Sequence, residues 1–248
     1  MTRQQPEPHT GAATARDIAE LDRRVVECRA CPRLVAWREL VARQKRAAYA
    51  DEEYWGRPVP GFGPPDARLA LVGLAPAAHG ANRTGRMFTG DRSGDVLFAA
   101  LHAAGLASSP LSVARDDGTV LYDTRMIAPV RCVPPENKPS PAERDTCRPW
   151  LVRELTLLAP TLRAVVVLGA FGWQALLPAV AAAGWSVPAP RPAFGHGAHV
   201  VLAGRSELHL FGCYHVSPHN TNTGRLTPAM LATVFTSARQ VAGARSAK

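Results

Sequence analysis

Apolar residues along this chain follow two spacings, one typical of helices and one typical of buried strands. Helical spacing predicts a helix from Asp17 to Cys28 and a second helix that begins at Pro32. Short continuous apolar runs predict strands at Arg68–Leu74, Met126–Val130, Arg163–Gly169, Val200–Leu202 and Leu208–Tyr214. Further helical spacing predicts helices through Val96–Leu101, Pro141–Leu158, Ala170–Ala183 and Pro228–Val241. Strands that alternate with helices favour an α/β fold in which helices cover both faces of a parallel sheet.

Three segments fall outside this alternation. Tyr54–Pro65 is rich in proline and glycine and predicts a rigid, irregular connector. Ala107–Val120 is interpreted as a surface excursion. Residues 1–16 begin with a polar stretch and predict a disordered tail, so that residues 17–248 form a single domain.

Composition adds an expectation about partners. Hydrophobic residues make up 46% of the 248 residues, enough for a substantial core. No apolar run approaches the roughly 20 residues of a membrane-spanning helix, so we expect a soluble protein without a membrane partner. The formal charge of +9 and the pI near 9.9 favour a polyanionic partner such as nucleic acid. An arginine-rich genome-wide bias is the alternative explanation of this charge.

Four of the five cysteines form two pairs. Cys28 and Cys31 are separated by two residues, and Cys132 and Cys147 follow about a hundred residues later. Thiolates at this spacing suit zinc or an iron–sulfur cluster. A disulfide scaffold is the alternative, but the chain is long and shows no secretory signal, which favours a cytoplasmic metal or cluster site. Cys213 stands apart in an apolar strand end and is interpreted as a buried thiol.

Ligands of such sheets bind beyond the carboxyl ends of the strands, which directs attention to the loops there. The loop Gly73–Gly94 is glycine-rich and carries arginines, yet it contains neither a Walker pattern nor a dinucleotide fingerprint. Asp91 within it could be a helix N-cap or a catalytic group, and spacing does not choose between them.

Two further loops carry polar side chains. Asn137 lies in a proline-stiffened turn between Cys132 and Cys147, where it could serve the turn itself or read the edge of a base. His215 follows the predicted strand Leu208–Tyr214, at a strand end where side chains face a ligand site. A structural role for a lone histidine is the alternative.

These loops, in this order and together with the cysteines, resemble a uracil-DNA glycosylase of family 5, also called type B. The similarity is carried by three stretches and spans roughly Cys28 to Val241. They read GLAPAAHGANRTGR at Gly73–Arg86, FTGD at Phe88–Asp91 and HVSPHNTNTGRL at His215–Leu226.

The resemblance implies an α/β/α sandwich around a four-stranded, mainly parallel sheet. It also implies a [4Fe–4S] cluster on Cys28, Cys31, Cys132 and Cys147, which would tie the N-terminal helical segment to the sheet. The implied activity is hydrolysis of the N-glycosidic bond to uracil in DNA, and to damaged purines such as hypoxanthine, after the base is flipped. We therefore expect a monomeric repair enzyme that is cytoplasmic and nucleoid-associated when bound to DNA.

The resemblance also assigns roles to residues. Phe88 would stack on the extruded base, Asn137 would read its edge, and His215 would face the uracil O2. Asp91 would position or activate water. Further residues expected to bind substrate are Gly73, Ala75, Ala77, Asn220 and Arg225, and the last two are candidates for the residue that fills the gap in the DNA.

Two departures from the wider superfamily concern the first loop. Leu74 and Ala75 are apolar where a polar residue is usual, so the water-handling group must come from elsewhere, and Asp91 is the nearest carboxylate. Ala77 is small where uracil-strict enzymes carry a bulky residue. We therefore expect a wide pocket with relaxed base choice.

Three alternative functions remain open at this point. A non-catalytic iron–sulfur DNA-binding module explains the charge and the cysteines but gives Asp91, Asn137 and His215 no reason to converge. A covalent uracil-DNA trap would carry an extra basic loop, which is not present near His215. A zinc hydrolase needs an open metal position, whereas four cysteine ligands make a closed, structural site.

Overall fold

The structure is a computed structural model and describes residues 7–244. The first six residues of the predicted disordered tail therefore lie outside the described residues. Within the described part, no helix is long and apolar enough to cross a membrane.

A five-stranded sheet forms the centre of the fold. Its strands are β1 (Leu69–Val72), β2 (Thr124–Ile127), β3 (Ala164–Leu168), β4 (His199–Leu202) and β5 (Leu208–Cys213). The strands lie in the order β2-β1-β3-β5-β4, and all neighbours are parallel except the antiparallel pair β4 and β5. The expectation of a four-stranded sheet is therefore wrong by one strand, because β4 adds to the free edge of β5 in the opposite direction.

Helices cover both faces of this sheet. They are α1 (Pro8–Ala13), α2 (Ile18–Val26), α3 (Pro32–Gln44), α4 (Ala81–Thr84), α5 (Arg92–Ala103), α6 (Pro141–Leu158), α7 (Ala170–Ala182), α8 (Pro218–Asn222) and α9 (Pro228–Ala242). One core lies between the sheet and the layer of α5 and α9, and the other lies between the sheet and the layer of α6 and α7. In β1 and β3, alternate residues point into opposite cores, which explains why these central strands are apolar throughout.

Strand β2 begins two residues earlier than its apolar pattern predicts. Its first residues, Thr124 and Arg125, are polar and yet fully buried. Arg125 donates hydrogen bonds to Asp22, with Nη2–O distances of 2.7 Å, and its Nε donates to Glu154 Oε1 at 2.6 Å. A cation can occupy a buried strand position here because two carboxylates from distant segments compensate it.

The structure of residues 7–16 contradicts this part of the prediction of a disordered tail over residues 1–16. Pro8–Ala13 is helical, and Ala12 and Ala15 pack with residues of α2 and with Trp150 of α6 in a separate apolar cluster. This burial could not be predicted from the sequence, because alanine and glycine have too little apolar surface to give a clear hydrophobic pattern. The N-terminal helices are thus held to the sheet by this packing and by the Asp22–Arg125 ion pair.

Local signals mark the helix ends that the sequence predicts well. Asp17 caps α2 by accepting a hydrogen bond from the Glu20 amide, with an O–N distance of 2.7 Å. Ser140 and Glu143 form a reciprocal capping box at the start of α6, directly after the turn that contains Asn137. That cap fixes the point at which the turn must end.

Candidate active site

A cavity of about 750 Å³ lies at the carboxyl ends of the parallel strands. Gly73 directly follows β1, Ala128 follows β2, and His215 lies two residues beyond β5. The predicted site residues that line it are Gly73, Ala75, Ala77, Phe88, Asp91, Asn137 and His215. The structure therefore brings together side chains from three loops that are far apart in the sequence.

Asp91 combines the two roles between which its spacing could not choose. Its Oδ1 accepts a hydrogen bond from the Gly94 amide at 2.9 Å and so caps α5. The carboxylate also lines the cavity, and Oδ2 lies against the Cα of Gly80. Burial raises the pKa of Asp91, against the opposing hydrogen bonds from the Gly94 and Ser93 amides. One oxygen is thus held by the helix while the other remains beside the cavity.

Phe88 lies in the wall of the cavity with an unusual backbone. Its φ of +52° is in the left-handed region, which is costly for an aromatic residue. Two glycines make its position possible. A Cβ on Gly73 would lie 2.9 Å from the Phe88 ring atom Cζ, and a Cβ on Gly94 would lie 2.1 Å from the Phe88 carbonyl oxygen. Backbone strain of this kind persists only where the surroundings hold it, which directs attention to the neighbours of this loop.

Arg86 joins the Phe88 loop to the segment Ala107–Val120. The guanidinium is buried and donates from Nη2 to Asp117 Oδ2 at 2.6 Å and to Ser112 Oγ at 2.7 Å. Its Nη1 donates to the carbonyl of Arg115 at 2.8 Å. The expected surface excursion is therefore only partly exposed, because its centre is folded around this cation.

The same segment touches the loop on the other side of Phe88. The Gly90 amide donates to the carbonyl of Ser112 at 2.8 Å. Arg86 and Gly90 flank Phe88 in the sequence, so the segment Ala107–Val120 holds the loop two residues before and two residues after the strained position.

His215 contributes a neutral imidazole to the cavity. Burial lowers its pKa to about 4, so the ring is uncharged near neutral pH. Within residues 7–244 its ring nitrogens make no hydrogen bond, while its carbonyl accepts one from Asn220 Nδ2 at 2.8 Å. Its Cβ lies close to Gly169 at the end of β3, where an added Cβ would be 3.3 Å away. The backbone is thus anchored and the ring is available to a ligand.

Asn137 reaches the cavity from an exposed turn. It has a φ of +57°, and Glu136 before it has a φ of +53°. Asparagine tolerates this left-handed conformation better than most residues, whereas glutamate does not. The turn is bounded by Pro134 and by the cap of α6 at Ser140, which limits how far the amide can move.

Asn220 and Arg225, expected to bind substrate, do not line the cavity. Asn220 is engaged with the His215 carbonyl. The exposed Arg225 guanidinium stacks over the ring of Tyr214, with Cζ 4.7 Å from the ring centroid. Asn220 therefore supports the His215 loop, and Arg225 packs on Tyr214, the residue before His215.

Sequence reasoning missed one wall of the cavity. It is formed by Arg46, Tyr49 and His79, of which the first two belong to the segment after α3. Tyr54 lies behind them, with its hydroxyl 3.0 Å from His79 Nδ1. Burial lowers the pKa of His79, with further contributions from Arg46 and Arg83. No strand ends near Arg46 or Tyr49, so the rule that selected the loops could not find them.

The sequence profile of the uracil DNA glycosylase superfamily matches residues 60–239. The chain belongs to the uracil-DNA glycosylase superfamily. A type-5 uracil-DNA glycosylase from Mycobacterium tuberculosis is 56% identical over 232 residues, which cover 94% of this chain and 84% of that protein.

More distant organisms carry similar proteins. The type-5 enzyme of Thermus thermophilus is 51% identical over 216 residues, covering 87% of this chain and 94% of that protein. The type-5 enzyme of Pyrobaculum aerophilum is 46% identical over 220 residues, covering 89% and 91%. These relatives confirm the resemblance to the type-5 branch of the superfamily.

In this type-5 chain, the four paired cysteines border a second, small cavity of about 20 Å³ near α3 and α6. All five cysteines are free thiols, so a disulfide scaffold is excluded within the described residues. Burial, with smaller contributions from Cys28 and Glu143, raises the pKa of Cys31 to about 11, and burial raises that of Cys132 to about 12. Across residues 7–244, no group of three or more His, Cys, Asp or Glu side chains has an arrangement that could hold a metal ion.

Cys213 lies away from this cavity. It is fully buried at the end of β5, and burial raises the pKa of its thiol to about 12. Its packing in the core next to α9 agrees with the interpretation as a buried apolar thiol.

Proposed function

We propose that this chain is a DNA-repair hydrolase that releases uracil and other deaminated bases from DNA by cleaving the N-glycosidic bond. The observation that carries the proposal is the convergence of Phe88, Asp91, Asn137 and His215 on one cavity at the strand ends of a superfamily member. The relatives named above are type-5 uracil-DNA glycosylases.

The substrate must leave the duplex to reach this cavity. Extruding a nucleotide costs a few kcal/mol, and less when the base is mispaired, which favours deaminated bases. A cavity of about 750 Å³ has room for a base and its sugar, and lies within the size range of ligand pockets. The charge of +9 supports binding of the DNA phosphates.

Each cavity side chain supports one part of the reaction. The Phe88 ring offers a face for stacking, and the Asn137 amide can both donate and accept at the base edge. A neutral His215 can donate a hydrogen bond to O2 of the departing base and stabilise the negative charge that develops there. Asp91 Oδ2 can orient water toward the sugar and stabilise its oxocarbenium character.

The lining of the first loop supports relaxed base choice. Leu74, Ala75 and Ala77 border the cavity and offer no polar group that would reject a purine, and Ala77 is small where a bulky side chain would narrow the cavity. We therefore include hypoxanthine among the substrates. Cleavage of uracil and hypoxanthine at rates within about tenfold supports this extension, and strict rejection of hypoxanthine refutes it.

We further propose that Cys28, Cys31, Cys132 and Cys147 hold a [4Fe–4S] cluster. Four cysteine sulfurs around one cavity have the donor chemistry of such a cluster, and binding would require their side chains to turn toward that cavity. Unpartnered nitrogen donors of Arg38, Arg131 and Trp150 border the same cavity and can be satisfied by sulfur acceptors. The cluster would stabilise the junction between the N-terminal helices and the Asn137 turn and would take no part in bond cleavage.

A base-release panel tests the enzymatic proposal. Labelled DNA strands that carry one uracil, hypoxanthine, xanthine or ethenocytosine are incubated with the protein and then treated with alkali. A nick at the lesion identifies a glycosylase, whereas bound but intact DNA identifies a non-catalytic binding module. A protein–DNA adduct that survives a denaturing gel identifies a covalent trap instead.

Visible absorption and metal analysis of freshly purified protein test the cluster. Iron and sulfide with a brown colour support it, and a colourless protein that contains zinc refutes it. Cys28→Ala is expected to lose the cluster and part of the stability, whereas Cys213→Ala serves as a matched buried thiol outside the cavity and should keep both.

A further inference from the structure

Buried hydrogen-bond donors without partners concentrate at the cysteine cavity. Seven buried side-chain nitrogen and oxygen atoms of the described residues have no hydrogen-bond partner. Four of the seven belong to residues that line this cavity: Arg38 Nε, Arg131 Nε, Arg131 Nη1 and Trp150 Nε1. All four are N–H donors, and each of the three side chains is at most 2% exposed. An unsatisfied buried donor costs about 1–3 kcal/mol, and more when it is charged, so such a concentration requires an explanation.

Arg131 belongs to a network that is already balanced in charge. Its Nη2 donates to Glu154, which also accepts from Arg125, and Arg125 pairs with Asp22. Two arginines therefore face two carboxylates. Its Nε and Nη1 have no partner within the described residues, and Arg131 lines the cysteine cavity.

Arg38 has no such balance. Its side chain is 2% exposed, and within residues 7–244 no carboxylate lies within ion-pair distance of it. Its Nη1 donates to the Cys28 carbonyl at 3.1 Å and lies 3.0 Å from Cys132 Sγ. A buried cation without a counter-charge costs several kcal/mol, and its nearest acceptors are a cysteine sulfur and a cysteine carbonyl.

We infer that Arg38 is the counter-cation of an anionic metal–thiolate centre at the four cysteines, and that Arg131 and Trp150 complete a shell of donors to its sulfur atoms. The inference rests on the part of the proposed function that assigns a metal centre to these cysteines. Four thiolates bound to Zn²⁺ or to a [4Fe–4S]²⁺ core carry a net charge of about −2. This negative charge would compensate the positive charge of the buried Arg38. The shell explains why these donors are unpartnered within the protein.

These donors should slow the loss of metal from the centre and change its reduction potential. Positive charge and hydrogen bonds to sulfur favour the more negatively charged, reduced state of a cluster and so raise its reduction potential. They also stabilise the thiolates against protonation and loss of metal. Arg38 thereby acts on the centre through charge, and it does so without contacting the substrate cavity.

The test uses the full-length protein purified without oxygen. Metal loss to an excess of EDTA and the midpoint reduction potential are measured for the wild type, Arg38→Met, Arg38→Lys and Trp150→Phe. Arg68→Met is the matched control, because that arginine donates to the Ala242 carbonyl at 2.7 Å and does not line the cysteine cavity. Base release is recorded in parallel for the wild type.

We expect Arg38→Met to lose metal at least tenfold faster than the wild type. Its one-electron reduction equilibrium should shift at least tenfold toward the oxidised state, which corresponds to about 59 mV. Arg38→Lys keeps the charge and should hold the potential near that of the wild type, but it loses the planar set of donors and should release metal faster. Trp150→Phe should show the smallest acceleration, and Arg68→Met none.

Each other result has a defined meaning. Wild-type metal loss and potential in both Arg38 variants overturn the inference while leaving the cluster in place. If Arg38→Met does not fold, wild-type metal loss in both Arg38→Lys and Trp150→Phe overturns it. A wild type with zinc refutes the iron–sulfur proposal, and the chelator series then decides the inference. A wild type without metal at the cysteines overturns both, and base release reports separately on the enzymatic proposal.

Discussion

The Cα atom of Gly80 lies directly against the carboxylate of Asp91. A Cβ at this position would be 1.8 Å from Asp91 Oδ2 and 2.7 Å from Cγ, far inside contact distance. The absence of a side chain is what allows the carboxylate to lie beside the cavity.

Gly80→Ala should therefore reduce base release by displacing Asp91. A displacement of about 1 Å from a productive geometry costs about 100-fold in rate. We expect a fall of that order in single-turnover rate with little loss of DNA binding. Gly195→Ala is the control, because the nearest atom to its added Cβ is 3.9 Å away. A Gly80→Ala enzyme with wild-type rates would show that Asp91 is not required where it lies.

Phe88→Leu should weaken the hold on the extruded base. Loss of stacking between a base and an aromatic ring costs about 1–3 kcal/mol, which corresponds to roughly fivefold to 150-fold in kcat/KM. Phe88→Tyr preserves the ring and should retain most of the activity. Gly73→Ala should resemble Phe88→Leu, since its Cβ would lie 2.9 Å from the Phe88 ring. Equal kcat/KM for Phe88→Leu and Phe88→Tyr would contradict a stacking role.

Asp117→Asn should destabilise the protein and loosen the Phe88 loop. Breaking this partly buried ion pair leaves the buried Arg86 guanidinium without its charged partner and costs about 1–3 kcal/mol. The Asp117 and Arg86 side chains are 12% and 6% exposed. Asp116→Asn changes an exposed neighbour and should unfold at the wild-type urea concentration.

The same pair has a pH signature. Burial opposes ionisation of Asp117, but hydrogen bonds from Arg86 and Thr119 prevail and hold its pKa well below the usual range. Its stabilising contribution is thus present above the pKa of the unfolded chain, about 4, and is lost as the pH falls below it. The difference in unfolding free energy between wild type and Asp117→Asn should shrink over that range.

His215 should make the protein less stable as the pH falls from about 6.5 toward 4. Its folded pKa of about 4 is below the ordinary histidine value, so the unfolded chain binds more protons in this window. Proton uptake therefore favours unfolding. His215→Gln removes this contribution, and urea unfolding across the window should show a flatter dependence. A parallel dependence in both proteins would place the histidine pKa elsewhere.

Protonation of Asp91 should produce an acid limb in the pH profile of base release, that is, a fall in rate at low pH. Burial raises its pKa, and only the ionised carboxylate can orient water or stabilise positive charge on the sugar. The rate should fall as the pH drops through that raised pKa. Asp91→Asn should have a much lower rate without this limb. An unchanged limb in Asp91→Asn would assign it to another group.

Many of the strands and helices could be predicted because they depend on residues that are close together in the sequence. The strands around β1, β3 and β5 are continuous apolar runs, and Asp17 and Ser140 cap helices at the predicted places. The early start of β2 could not be predicted, because Arg125 is acceptable there only through carboxylates from two other elements. The short helix Pro8–Ala13 was missed because its stability comes from packing on α6.

The candidate site shows the same division. Phe88, Asp91, Asn137 and His215 could be named from sequence, since they lie in loops after strands and match motifs of a family. Their residue types and positions in the chain suffice for that. Arg46 and Tyr49 in the opposite wall were not found, because they reach the cavity from a segment without a strand end.

The sequence by itself determined the alternation of strands and helices, the family and the polar residues of the main loops, because periodicity and motif spacing are properties of neighbours along the chain. Only the tertiary structure decided that Asp91 is both cap and cavity carboxylate, that Gly80 makes room for it, and that Arg38 is buried without a carboxylate. These facts depend on distances between atoms that are remote in sequence, and packing alone sets such distances.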